Sequence, residues 1–206
     1  MKSIDSIGTI TVTLFEEQTT GHRIAVKFDT TGRSQSFNNE EINLKKIRQR
    51  NPDVVHVVQY LGSYVLPIAH NKFEYIEENV ERYLEEQKGA LEPHMVLKQM
   101  LNALREIHSL GYVHRDVRPS NFLIHNHCVK LVNFGCATDY RRDGNHNSHQ
   151  NLGNYQGNPF FASIGSLSGF NAFRKDDLEQ LGYSIMYLLD RTLIPWSNSS
   201  NFDEVK

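Results

Sequence analysis

The residues best able to do chemistry lie in the stretch 112–138. It contains one triplet, then an asparagine, then a second triplet: His114-Arg115-Asp116, Asn121 and Asn133-Phe134-Gly135. Phosphoryl transfer needs a carboxylate near the attacking hydroxyl and oxygen ligands that hold Mg²⁺ beside the phosphates. Asp116 suits the first task and Asn121 the second, but Asn133 offers an amide where a metal ion favours a carboxylate. The pattern predicts either a phosphotransferase or a protein that retains only part of such machinery.

The first third of the chain has the alternating pattern of β-strands. Residues 7–15 predict one strand and residues 23–28 the next, joined as a hairpin. Residues 38–49 carry apolar side chains at helical spacing and predict a helix. Further strands follow, with turns predicted at Gly62 and Pro67.

Helical patterns dominate the rest of the chain. Residues 94–110 predict a helix that Gly111 ends. Two short strands are predicted on either side of residues 125–127, and the polar residues 138–159 predict a long loop. Residues 175–193 predict a long apolar helix that is buried nearly all round.

These elements together predict an α+β fold. We expect a single domain with two lobes, a β-rich lobe over residues 1–76 and a helical lobe over residues 77–206. The boundary is expected near residues 74–79, where the strand pattern stops and the helical pattern starts.

Composition excludes several classes of protein. Of the 206 residues 39% are hydrophobic, and the net charge is -2, which argues for a globular domain with no nucleic-acid or membrane partner. No apolar run approaches the length of a membrane span, and the N-terminus lacks the pattern of a signal peptide. The two cysteines, Cys128 and Cys136, are too few for a disulfide framework and indicate a reducing compartment. We therefore expect an intracellular protein, cytoplasmic or nuclear.

Further motifs lie in order around the two triplets. Residues 24–27 read Ile-Ala-Val-Lys, and the triplets follow a long amphipathic helix pattern. With these motifs the chain resembles the eukaryotic protein kinase family over nearly all its length. The resemblance implies a two-lobed kinase fold, ATP as the nucleotide with Mg²⁺ or Mn²⁺, and a protein substrate or a regulated protein partner.

The resemblance also implies roles for individual residues. Asp116 matches the catalytic base, and Lys27 matches the lysine that grips the α- and β-phosphates of ATP. A helix glutamate should pair with this lysine, and Glu40 fits better than Glu41, because apolar residues four and seven positions further on then face inward. Arg118 stands where the family has a lysine of the catalytic loop, which changes the geometry but keeps the charge.

The implied nucleotide site combines apolar side chains with a strand edge. Phe73 matches the gatekeeper residue, and the backbone expected to face adenine belongs to Glu74 and Ile76. The side chains expected to sandwich the adenine are Val12, Ala25 and Leu123. The implied metal ligands are Asn121 and Asn133, and because both are amides we expect Mg²⁺ or Mn²⁺ binding to be weak or absent. Asp177 matches a buried aspartate that orients the catalytic loop.

Residues 157–196 narrow the resemblance to the casein kinase 1 group, including its tau-tubulin and vaccinia-related branches. The segments that carry it are Ala-Ser-Ile at 162–164, Lys-Asp-Asp-Leu-Glu-Gln-Leu-Gly-Tyr at 175–183 and Ile-Pro-Trp at 194–196. Other protein kinases carry Ala-Pro-Glu at the first of these segments.

Two further departures from the family pattern bear on function. Asp5, Ile7 and Ile10 stand where three glycines of the phosphate-covering loop are expected, and only Gly8 is nearby. The sequence also ends shortly after the helix 175–193, where the family has further helices. We therefore expect a truncated second lobe, which either leaves an apolar helix surface for a partner to cover or reflects a shortened gene.

Two functions remain open from the sequence. The first is a pseudokinase, which binds or regulates protein partners without efficient phosphoryl transfer. The second is an active Ser/Thr protein kinase that uses Asp116 as base and a weak metal site. Asn133 and the missing glycines weaken the same step, the holding of metal-bound ATP, and so favour the pseudokinase. Lys27 has a structural alternative too, since pairing with Glu40 can simply hold the first lobe together.

Overall fold

The computed structural model describes residues 2–7, 10–16, 21–29, 34–64, 70–76, 78–86, 91–142, 145–153 and 157–197. Its strands and α-helices, in chain order, are β1 (Lys2–Ile7), β2 (Ile10–Glu16), β3 (Arg23–Asp29), α1 (Gln35–Arg50), β4 (Tyr60–Tyr64), β5 (His70–Glu74), β6 (Glu78–Asn79), α2 (Val80–Glu85), α3 (Pro93–Ser109), β7 (Tyr112–Val113), β8 (Phe122–His125), β9 (Cys128–Leu131), β10 (Thr138–Asp139), β11 (Arg141–Arg142), β12 (Asn145–His146), α4 (Ile164–Leu167) and α5 (Arg174–Leu189). A sheet-rich part is followed by a helix-rich part, which confirms the predicted α+β fold.

The sheet of the first part has five strands in the order β1-β2-β3-β5-β4, and every neighbouring pair is antiparallel. The chain reverses where Ile7 pairs with Ile10, so the single strand predicted over 7–15 is wrong at its start. The hairpin of β2 with β3 is confirmed. Gly62 lies inside β4, at a shift of register with a φ of 133°, so the turn predicted there is wrong. The turn predicted at Pro67 lies outside the described residues.

The face of helix α1 that is turned toward the interior is partly polar. The Ser34 side chain caps the helix by accepting a hydrogen bond from the Phe37 N–H at 3.2 Å. Buried residues then recur every three or four positions, the period of one helix face. They are Phe37, Glu40, Asn43, Leu44 and Ile47. The helix predicted over 38–49 is confirmed.

Helix α3 lies at the centre of the second part. Five of its apolar side chains have no exposed surface: Val96, Met100, Ala103, Leu104 and Ile107. Gly111 follows the helix with a φ of 88°, a left-handed angle that commonly ends helices and that glycine adopts without steric cost. The antiparallel pair β8 and β9 confirms the two short strands predicted around residues 125–127.

The polar stretch predicted as one long loop contains short strand pairs. β10 pairs with β7, and β11 pairs with β12. Two hydrogen bonds of Asn171 hold the stretch to the segment before α5: its Nδ2 donates to the Ser148 oxygen at 2.9 Å, and its Oδ1 accepts from the Gln150 N–H at 2.8 Å. Most of the residues that the structure describes in this stretch are irregular, as predicted, but they are anchored.

Helix α5 is buried on one side only. Leu178 and Leu189 are 45% and 66% exposed, so the prediction of a helix buried nearly all round is wrong. Its buried residues are instead mostly polar: Asp176, Asp177, Gln180 and Ser184, together with Leu181. The reason is that this face holds neighbouring loops through hydrogen bonds rather than through apolar contact alone. The expectation that a partner covers the exposed face stays a prediction.

Asp177 shows what the buried polar face of α5 does. Its Oδ2 accepts from the His114 N–H at 2.8 Å and contacts His108 Nε2 at 2.8 Å, and its Oδ1 accepts from the Arg115 N–H at 2.9 Å. Arg115 has a φ of 71°, a left-handed angle that a residue with a Cβ rarely adopts. The fully buried carboxylate therefore holds the loop that leads to Asp116 in a conformation that the loop would not adopt alone.

None of the helices in the described ranges combines the length and the apolar character that crossing a membrane requires.

Replacing Asp177 by Asn is expected to lower the free energy of unfolding by roughly 3 kcal/mol, because an NH₂ group then faces a buried N–H group. Urea denaturation followed by far-ultraviolet circular dichroism measures this change. Asp53→Asn, at an exposed aspartate, is the matched control and should change the value by less than about 0.5 kcal/mol. Equal stability of Asp177→Asn and the unaltered protein would contradict the role given to Asp177.

Candidate active site

Strand register places the predicted nucleotide-binding residues of the sheet on one face. Val12 pairs with Lys27, and Ala25 pairs with Phe73. Directly paired residues share a face, and so do residues two apart in one strand, so all four side chains lie on the same side of the sheet. The Phe73 ring also packs edge-on against Tyr60, with 5.8 Å between ring centroids.

Lys27 connects this face of the sheet to α1. Its Nζ lies 2.7 Å from Glu40 Oε2, and the two side chains are 12% and 2% exposed. Glu41 points elsewhere and pairs with Lys45 at 2.6 Å. Because an unpaired carboxylate is costly to bury, the contact with Lys27 is what permits Glu40 to lie inward. The ion pair thereby sets the inward position of α1.

The Asp116 carboxylate is surrounded by hydrogen-bond donors. Asn121 Nδ2 lies 2.9 Å from Oδ2, and Arg118 Nε lies 3.4 Å from the same oxygen. The other oxygen, Oδ1, accepts from the backbone N–H of Asn158 at 3.0 Å. Both carboxylate oxygens are thus already engaged by the protein, and Asp116 is only 7% exposed.

Asn133 joins Lys27 to the residues around Asp116. Its Oδ1 accepts from Lys27 Nζ at 2.9 Å. Its Nδ2 lies 3.3 Å from Asn121 Oδ1 and 3.5 Å from Asp116 Oδ2. A lysine ammonium can only donate, so it orients the amide oxygen toward itself and the NH₂ group toward the other two residues. The amide therefore places donors between the oxygens of Asp116 and Asn121.

This donor set does not fit a divalent cation. A cation held by Asn121 and Asn133 needs a side-chain oxygen of each to face it, whereas Asn133 turns its NH₂ group toward Asn121 and Asp116. The one oxygen that the Asn133 side chain could contribute is bound to the positive charge of Lys27. The described part of the chain also holds no cluster of three His, Cys, Asp or Glu side chains that could bind a metal. Asn121 and Asn133, the predicted ligands, are bonded to each other instead.

The strand edge expected to face adenine is partly used within the protein. The Glu74 N–H donates to the Gln59 oxygen at 3.0 Å, and Glu74 Oε1 accepts from the Gln59 N–H at 2.7 Å. That backbone donor is therefore not presented to a ligand. Ile76 is 8% exposed, and Leu123 packs against the hydrophobic core from β8.

The positions expected to be glycines belong to the antiparallel pair β1 and β2, which has a shift of register between Ser3 and Asp5. Asp5 pairs with Val12, and Ile7 pairs with Ile10, in β1 and β2. Backbone groups that bond across this pair of strands are occupied there, and none of the three positions has the conformational freedom of glycine. Gly8 lies outside the described residues.

Three further amide residues support the site and were not predicted: Asn43, Asn158 and Gln180. Gln180 Oε1 accepts from the Val117 N–H at 2.7 Å, next to Asp116. The available signal for Asn43 was its position three residues after Glu40, inside an otherwise inward-facing stripe. Asn158 had no such signal, because its backbone and not its side chain contacts Asp116.

The chain also matches the model of a known protein family. The family model described as Protein kinase domain matches residues 7–204, which is nearly the whole chain. The chain belongs to the protein kinase family, as its motifs indicated. Members of this family generally use ATP and Mg²⁺ and act on proteins.

Replacing Asn133 by Asp is expected to create a dependence on divalent cations. The new carboxylate has no donor for Asp116 and faces it with like charge, an arrangement that a cation stabilises. Adding Mg²⁺ should raise the melting temperature of this variant but not that of the unaltered protein. The control is Asn38→Asp at an exposed position of α1, which should not respond. A response of the unaltered protein as large as that of Asn133→Asp would show that the amide does not exclude the cation.

Proposed function

We propose that this member of the protein kinase family is a pseudokinase of the casein kinase 1 type, which binds or regulates protein partners without efficient phosphoryl transfer. The observation that carries the proposal is the bonding of Asn133 between Lys27, Asn121 and Asp116. It replaces a cation by an internal hydrogen-bond network in the place where metal-bound phosphates would be held. The degraded glycine positions act in the same direction.

The surroundings of Asp116 add a second argument. A catalytic base must have an oxygen within hydrogen-bond reach of the substrate hydroxyl. Here Oδ1 already accepts from the Asn158 N–H and Oδ2 has three donors nearby, so a substrate must displace one of these contacts. This arrangement favours a structural role for Asp116.

Contacts of the block 157–196 support the casein kinase 1 assignment. Ser163, in the Ala-Ser-Ile segment, is fully buried and donates to Asp176 Oδ1 at 2.8 Å. Trp196 Nε1 donates to the Phe160 oxygen at 2.8 Å. The first two segments on which the group resemblance rests are thus joined by a buried hydrogen bond, and the third contacts Phe160 of the same block.

The alternative function is an active Ser/Thr protein kinase. The contact of Lys27 with Glu40 and the retention of Asp116 and Asn121 favour it, because a pure scaffold has no evident need for all four residues. In this alternative Asp116 accepts the proton of the substrate hydroxyl. ATP is the proposed nucleotide in either case, and the metal contribution is weak or absent in the pseudokinase.

We also propose an intracellular location, cytoplasmic or nuclear. Cys128 and Cys136 are both free, and burial raises the pKa of each thiol. Free thiols of low reactivity are typical of proteins from a reducing compartment.

A phosphotransfer assay with radiolabelled ATP and dephosphorylated casein separates the two functions. For a pseudokinase, we expect the unaltered protein and Asp116→Asn to give the same background signal, while Asn133→Asp gives more. The substitution Asp53→Asn serves as the control for handling. Phosphorylation by the unaltered protein that Asp116→Asn abolishes would establish the kinase alternative.

Thermal melting with ATP, with and without Mg²⁺ or Mn²⁺, tests the nucleotide part of the proposal. A ligand that binds the folded protein raises the melting temperature by mass action. We expect any shift with ATP to be the same with and without metal. A shift that appears only with metal would mean that the cleft still assembles metal-bound ATP despite Asn133.

A further inference from the structure

Asn43, on the inward face of α1, makes two hydrogen bonds to backbone oxygens of the segment after Asn133. Its Nδ2 donates to the Phe134 oxygen at 3.0 Å and to the Ala137 oxygen at 2.8 Å. These two carbonyls lie at the start and just past the end of the 3₁₀ turn Phe134–Cys136. A side-chain NH₂ group has two hydrogens, so both are used, and Asn43 is only 8% exposed.

A second residue of the same helix face holds the turn by its N–H. Glu40 Oε1 accepts from the Phe134 N–H at 3.2 Å, while Glu40 Oε2 binds Lys27. Asn43 follows Glu40 by three residues, so both side chains leave α1 on the same side. Helix α1 therefore binds one backbone donor and two backbone acceptors of a segment about ninety positions further along the chain.

Close backbone contact accompanies these hydrogen bonds. A Cβ atom added to Gly135 would lie 2.7 Å from the backbone oxygen of Ser36 and would collide with the Ser36 side chain as well. Ser36, Glu40 and Asn43 are spaced by four and three residues, which is the period of one helix face. The turn thus fits against α1 only because position 135 is a glycine.

We propose that Asn43 is a positioning residue that fastens the turn after Asn133 to α1, so that Lys27, Glu40 and Asn133 are assembled before any ligand binds. The turn begins directly after Asn133, so fastening it also fixes the amide that reaches Lys27 and Asp116. Any consequence of this fastening for partner binding depends on the proposed function. The fastening itself does not depend on it.

Two substitutions separate hydrogen-bond donation from the filling of space. Asn43→Asp keeps the shape but turns the donor into an acceptor, and Asn43→Leu keeps the bulk without polar atoms. Either leaves two carbonyl oxygens without their side-chain donor, which disfavours the closed turn. Asn38→Leu, at an exposed position of the same helix, is the matched control.

Amide hydrogen exchange followed by nuclear magnetic resonance measures the opening of the turn. The reporters are the N–H groups of Phe134, bonded to Glu40, and Ala137, bonded to the Phe134 oxygen at 3.1 Å. The reference is the N–H of Leu131, which donates to the His56 oxygen at 2.7 Å and does not involve Asn43. Local opening changes the reporters alone, whereas a general loss of stability changes reporters and reference together.

In the unaltered protein without ligand, we expect slow exchange at both reporters and no large further slowing with ATP and Mg²⁺. In Asn43→Asp and Asn43→Leu, reporter exchange should accelerate about tenfold or more relative to the reference. In Asn38→Leu the ratio should stay the same.

Three results would overturn the proposal. The first is fast exchange at the reporters in the unaltered protein, which needs no variant to be folded. The second is a strong slowing only when nucleotide is added, and the third is equal acceleration of reporters and reference in both Asn43 variants. Phosphoryl transfer by the unaltered protein would overturn the proposed function but would not change the exchange rates expected here. Failure of the proposed function and failure of this proposal are therefore distinguishable.

Discussion

The amide of Asn133 combines a hydrogen-bond acceptor with two donors, and the arrangement of the cleft depends on that combination. The acceptor binds Lys27 of the sheet, and the donors face Asp116 and Asn121 of the loop after β7. A carboxylate offers acceptors only, so without a cation it would face Asp116 with like charge. With the amide, a continuous series of polar contacts runs from Glu40 to Asp116 and needs no metal ion.

Helix α1 gives this series its geometry. Its inward face places Glu40 against Lys27 and Asn43 against the turn after Asn133. Buried ion pairs and buried amides are costly when they lack partners. Here Glu40 binds Lys27 and the Phe134 N–H, and the NH₂ group of Asn43 binds two backbone oxygens. The hydrogen bonds that allow α1 to bury Glu40 and Asn43 therefore also hold the first part of the chain to the second.

Helix α5 has an equivalent task on the other side of Asp116. Asp177 and Gln180 use their side chains to accept hydrogen bonds from loop N–H groups, and Ser184 contributes a further buried hydroxyl. The left-handed angle at Arg115 is maintained by these contacts. An apolar helix could pack against the loop, but it could not satisfy the backbone donors that this loop leaves unpaired.

Local sequence patterns determined much of this protein. Alternation predicted the hairpin of β2 and β3, helical spacing predicted α1 and α3, and the order of motifs indicated the protein kinase family. These signals are local, because a short segment is enough to recognise the period of a strand or helix and the position of a loop residue. The burial of α5 was predicted wrongly for the same reason: the resemblance indicated a buried Asp177, but the apolar residues of the helix did not reveal that Gln180 and Ser184 also lie on its buried face.

Tertiary structure decided what the site residues do with one another. The sequence identified Asn133 as an amide in a metal position, but only the folded chain brings its oxygen to Lys27 and its NH₂ group to Asp116. Asn43 and Asn158 gain their contacts in the same way, from segments far apart in the chain. Hydrogen bonds depend on distance and direction to within fractions of an ångström, and no pattern of residue types contains that information.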